Sequence, residues 1–139
     1  MLLSTVKIMT ALAVTVLVST PGSHPATRTL NLVIAETGQQ VVGSTYLETD
    51  SVTEQDRPVG LDVLTCPGAA RPDVQVAGCA VDFGFDGGTL SAHIENNNTS
   101  GRVTGVITGG TGLYAHATGH VSGQGTDTGA SLTLTLTRH

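Results

Sequence analysis

Short runs of alternating residues constrain this chain more than anything else in it. Beyond the first two dozen residues the sequence divides into eight extended runs: approximately Thr29 to Glu36, Gln40 to Glu48, Val59 to Cys66, Asp73 to Phe83, Gly88 to Glu95, Gly101 to Thr108, Leu113 to Ser122 and Ala130 to Thr137. Turn formers separate them, at Gly38-Gln39, Asp50 to Pro58, Pro67 to Pro72, Asp86-Gly87, Asn96 to Ser100, Gly109 to Gly112 and Gly123 to Gly129. Within the runs the side chains alternate. Leu132, Leu134 and Leu136 oppose Thr133, Thr135 and Thr137, while Leu90, Ala92 and Ile94 oppose Thr89, Ser91, His93 and Glu95. No stretch after the first run keeps a helical period, and 18 glycines with only 3% aromatic residues suit strands joined by tight turns. Connections this short join antiparallel neighbours. Eight such strands hide their edges by closing into a barrel or pack as a sandwich, and alternation alone does not choose between the two.

Residues 1–26 read as a secretory signal peptide, with Lys7 as the positive region, Ile8 to Val18 as the apolar region and Ser19 to Ser23 as a small, polar exit. The apolar region is shorter than the ~20 residues that span a bilayer, so cleavage after Ala26 leaves a secreted domain, 27–139, with no membrane attachment, and cleavage after Gly22 leaves the same domain with Ser23 to Ala26 before it. Loss of Lys7 takes the formal charge from −5 to −6. The five arginines, Arg28, Arg57, Arg71, Arg102 and Arg138, are scattered singly, which excludes a basic stripe for nucleic acid. No D-x-D-x-D-G calcium loop and no cofactor motif is present.

The segment Gly109 to Gly123 holds a glycine turn, Gly109-Gly110-Thr111-Gly112, followed at once by Tyr114 and by the small residues Ala117 and Gly119. A phosphate cradle needs a helix after such a loop, and the residues here alternate at period two instead. The pattern G-G-T-G-x-Y-x-x-A-x-G resembles the allene oxide cyclase barrel family, which includes plant dirigent proteins and short secreted bacterial proteins. Val42-Gly43, Val59-Gly60, Cys66, Cys79 with Val81-Asp82-Phe83, Asp86 to Leu90 and Leu132 to Leu136 follow in the order of its secreted bacterial members. The resemblance implies an all-β, eight-stranded antiparallel closed barrel with room for one small apolar molecule, and it allows a homo-oligomer. It further implies either cofactor-independent isomerase or cyclase chemistry or a non-catalytic, dirigent-like binding role. A fully packed structural barrel is the remaining expectation. The basic residues that dirigents carry beside the bulky position are replaced here by Ala115 and His116.

Cys66 and Cys79 form an even pair in an exported chain, for which a disulfide is the simplest reading. His116 and His120 share a strand face at ~13 Å, too far to chelate one ion, and read as exposed with His93. The acid-base candidates are Asp82, Tyr46 and Glu48. Asp82 faces the barrel interior if Val81, Phe83 and Phe85 form an outer layer, and solvent if they fill the barrel. Tyr46 and Glu48 share one strand face near a barrel end, and Tyr114 reads as a cap on the core.

Overall fold

The computed structural model describes residues 26–70 and 74–138. The expected signal peptide lies outside the described residues, except for Ala26. Eight strands follow in sequence order: β1 (Ala26–Val42), β2 (Thr45–Glu54), β3 (Arg57–Cys66), β4 (Val76–Phe85), β5 (Gly88–Asn97), β6 (Arg102–Gly110), β7 (Thr118–Thr126) and β8 (Gly129–Arg138). Each pairs antiparallel with the next, and β1 pairs with β8, so the sheet closes into a barrel. Closure removes every unpaired edge, and this separates the barrel from the sandwich that alternation also allowed.

The boundaries of the first strands differ from the sequence expectation. Gly38 does not turn the chain. It sits in β1 beside a bulge between Glu36 and Gly38, and the turn falls at Gly43, whose φ of +62° suits glycine. β2 then continues through Asp50, and the chain reverses at Gln55 and Asp56, which hold φ of +52° and +64°. A two-residue hairpin loop needs positive φ, but Asn-Gly or Asp-Gly usually supplies it, so Gln-Asp gave no turn signal.

The run expected from Leu113 is also shorter. Gly112–Tyr114 forms a single 3₁₀ turn, His116 takes a φ of +64°, and β7 begins only at Thr118. His116 and His120 therefore do not share a strand face, and both are exposed. Gly112, at φ +59°, lies so near Gly87 that an added Cβ would stand 2.3 Å from its carbonyl oxygen. That close approach lets Leu113 N–H donate to Gly87 O at 3.0 Å, folding the turn across the end of the barrel.

Inside, large residues face small ones. Val103 pairs with Gly123, Gly105 with Val121, and Ile107 with Gly119, while Leu132, Leu134 and Leu136 of β8 lie opposite Gly123, Val121 and Gly119. This alternation fills the β5 to β8 half without crowding. Phe83, Leu90, Leu134 and Val52 are fully buried, so the aromatic residue Phe83 fills the barrel. Phe83 stacks on Phe85 at 5.6 Å, and Phe85 meets Tyr114 at 5.4 Å. Tyr114 is buried and caps this end.

The Cys66–Cys79 disulfide joins β3 to β4 just beyond the last paired residues, Thr65 and Ala80. The connections after β1, β3, β5 and β7 gather at the barrel end opposite the Tyr114 cap. There Ala70 N–H donates to Ser44 O at 3.1 Å and Gly125 N–H to Gly101 O at 2.7 Å, tying the rim together.

Candidate functional site: an acidic cavity at the open end

Register places carboxylates side by side on the inner wall. Glu36 of β1 lies opposite Asp50 of β2, and Asp50 lies opposite Asp62 of β3. Directly paired residues have Cβ atoms roughly 4.5 to 5.5 Å apart, and like charges at that spacing repel. Glu48, two residues before Asp50, shares the face, as does Tyr46. Three neighbouring strands thus bring four acids and a phenol together.

They line a cavity of about 350 Å³ whose other walls include Ile34, Leu64, Val81, Ile94, Leu132 and the disulfide residue Cys66. That volume falls within the range of small-molecule sites. Asp127, in the β7–β8 turn, adds a fifth acid at the rim, and among the described residues no Lys, Arg or His lines the space. A second cavity of about 330 Å³ lies at the capped end and mixes Arg28 with Glu54, Asp86 and Tyr114.

Burial and hydrogen bonding set the chemistry of the acidic wall. Asp50 and Asp62 are 2% and 3% exposed, and one oxygen of each, Oδ1, has no hydrogen-bond partner. Buried polar atoms are nearly always paired, so two orphaned carboxyl oxygens facing a cavity mark a place built for something other than packing. Burial, with a hydrogen bond to Asp62, raises the Asp50 carboxyl to about 7. Asp62 is raised as well, chiefly by burial. Glu48 is raised by burial despite the hydrogen bond from Tyr46. The Tyr46 hydroxyl donates to Glu48 Oε2 at 2.5 Å and lies 2.9 Å from Gln39 Oε1. Its own proton is held above the ordinary phenol value, first by burial and then by Glu48. Tyr46, Glu48, Asp50 and Asp62 therefore form a hydrogen-bonded series leading from the rim to the interior.

Of the residues singled out in the sequence, Tyr46 and Glu48 belong to this site. Asp82 does not. With Phe83 inside, Asp82 points outward, is exposed, and accepts a hydrogen bond from Ser91 Oγ at 2.6 Å. Gly109, Gly110, Thr111 and Gly112 lie at the capped end, away from the acidic cavity. Sequence reading missed Asp50 because it had been assigned to a turn, and Asp62 because the run from Val59 to Cys66 was given no inner face, its neighbours Leu61 and Val63 being apolar. Those two are in fact 65% and 48% exposed. The signal that would have found them is parity: in the run ending at Cys66, Asp62 shares a face with Leu64 and the disulfide cysteine.

The chain matches no family model and no curated protein. The barrel is similar to a solved one. That structure is named pyocyanin demethylase, and it aligns with a TM-score of 0.59 and 26% identity over 80% of this chain and 99% of its own.

Proposed function

We propose that the protein is an exported small-molecule-binding barrel that moves protons on its ligand, as a cofactor-independent isomerase or a related enzyme. The observation that carries this reading is the pair Asp50 and Asp62, buried in the cavity wall with one oxygen each unpartnered. A carboxyl that titrates near 7 gives up and regains a proton readily at neutral pH, the condition for general acid-base catalysis. Apolar walls hold the body of the ligand, while Tyr46 and Glu48 extend the hydrogen-bonded series toward the rim.

The glycine turn and the eight-strand closure support kinship with the allene oxide cyclase barrel group. The similar solved structure is named for an activity on pyocyanin, so pyocyanin is the first compound to test. The disulfide is compatible with export, and no helix among the described residues is long and apolar enough to cross a membrane. A cavity of this size weighs against the packed structural barrel.

Thermal-shift and turnover measurements with pyocyanin and heteroaromatics of similar size test the reading. Binding raises Tm at ligand concentrations well above Kd, and product appears in the mass spectrum. Asp50→Asn keeps the shape of the side chain and slows turnover ~10²-fold or more. Absence of any Tm shift across the series would sink the proposal.

A further inference from the structure

The acidic cavity is selective in charge. Five carboxyl groups, Glu36, Glu48, Asp50, Asp62 and Asp127, line it, and among the described residues no cationic side chain balances them. An anionic ligand entering this space meets only repulsion, and a neutral one leaves the Oδ1 atoms of Asp50 and Asp62 without a counter-charge. Among the described residues, no three His, Cys, Asp or Glu side chains converge as a metal site requires. The charge that suits the cavity is spread over an organic body.

We propose that the open end of the barrel is a site for an organic monocation, an apolar ring system bearing one quaternary or protonated nitrogen, which seats its charge beside Asp50 and Asp62 and sends a proton from that pair to solvent. This rests on the ligand-binding reading above and names its ligand class. The balance is simple: one positive charge enters and one proton leaves, with no bond to carbon made or broken. Among the described residues, every titratable group facing the pair is a carboxyl or a phenol. Glu36 comes from β1, Tyr46 and Glu48 from β2, and Asp127 from the β7–β8 turn, while β4, β5, β6 and β8 contribute none to the cavity. The raised Asp50 carboxyl agrees with a proton resident there near neutral pH. The apolar walls, Ile34, Leu64, Val81, Ile94 and Leu132, accept the ring system. The site thus differs from one built for a fatty acid, whose carboxylate would need a basic partner.

Isothermal titration of the disulfide-intact protein with three bicyclic probes tests this: N-methylquinolinium as cation, N-methyl-2-quinolone as neutral body and 1-naphthoate as anion. The cation binds at least ~10-fold tighter than the neutral probe, a ratio equivalent to ~1.4 kcal/mol, and the anion weakest. Its affinity rises by up to ~10-fold per pH unit between pH 5 and 7, as one exchanged proton requires, and levels off above. Titrations in phosphate and in Tris differ in apparent enthalpy by the ionisation heat of the released proton. Asp62→Asn and, at the rim, Glu36→Gln each weaken the cation by a larger factor than the neutral probe. Equal or tighter binding of the neutral or anionic probe, or cation binding indifferent to pH and buffer, overturns the cation site and leaves small-molecule binding standing. Failure of all three probes to bind overturns both.

Discussion

Asp50 concentrates the physical tension of this molecule. It is buried, it faces Glu36 on one strand and Asp62 on the other, and its carboxyl is raised from 3.8 to about 7. In the unfolded chain the same group titrates at its ordinary value, so across the interval between the two the folded protein binds more protons. Stability is then fullest below the ordinary carboxylate range and is lost as pH rises toward and through about 7, the reverse of the usual salt-bridged acid. The slope approaches ~1.4 kcal/mol per pH unit for each proton held. Thermal melts from pH 4 to 8 should show Tm falling with pH, and Asp50→Asn should flatten the fall and raise Tm at pH 8. A Tm that climbs through this range would mean that the cluster is ionised and compensated in the fold.

Strands distribute the labour of packing and chemistry unequally. β8 places Leu132, Leu134 and Leu136 in the core, and its alternation with threonine made this legible from the sequence. β3 is the opposite case. Leu61 and Val63 face outward and Asp62 inward, so the more apolar face of that strand is the exposed one. Local alternation shows that two faces exist but not which is inside, and only closure with β2 and β4 decides it. The eight-strand class, the disulfide, the Tyr114 cap, Tyr46 and Glu48 could therefore be read from residues alone. Asp50 was hidden because a Gln55-Asp56 turn without glycine disguised where β2 ends, and Asp62 because nothing local fixed which face of β3 is inside. The two strands give paired expectations by denaturant unfolding. Leu134→Ala, at 0% exposure, should cost ~2 to 5 kcal/mol, and Leu61→Ala should stay within ~0.5 kcal/mol. Equal costs would place β3 in the wrong parity.

At the scale of the whole molecule, the barrel is one cooperative unit whose two ends differ. The end holding Phe85, the 3₁₀ turn and Tyr114 is capped by aromatic packing, and the other keeps its acidic cavity. The disulfide staples the wall of the open half, where Cys66 lines the acidic cavity, and its loop spans a sequence separation of 13 residues. Removing it with Cys66→Ala and Cys79→Ala together should cost ~3 kcal/mol in the chain-entropy account, read as a lower denaturant midpoint at unchanged slope. A loss below ~1 kcal/mol would show that the closed sheet holds β3 and β4 together without it.

The pairing of β1 with β8 also fixes how the molecule presents itself. Ala26 lies opposite Arg138, so the chain enters and leaves the barrel at neighbouring points on the capped end. A surface, tag or fused domain joined directly at Ala26 or Arg138 stands behind the barrel and leaves the acidic mouth facing the surrounding fluid. In that orientation the barrel is a cup held by its base, with its mouth turned outward.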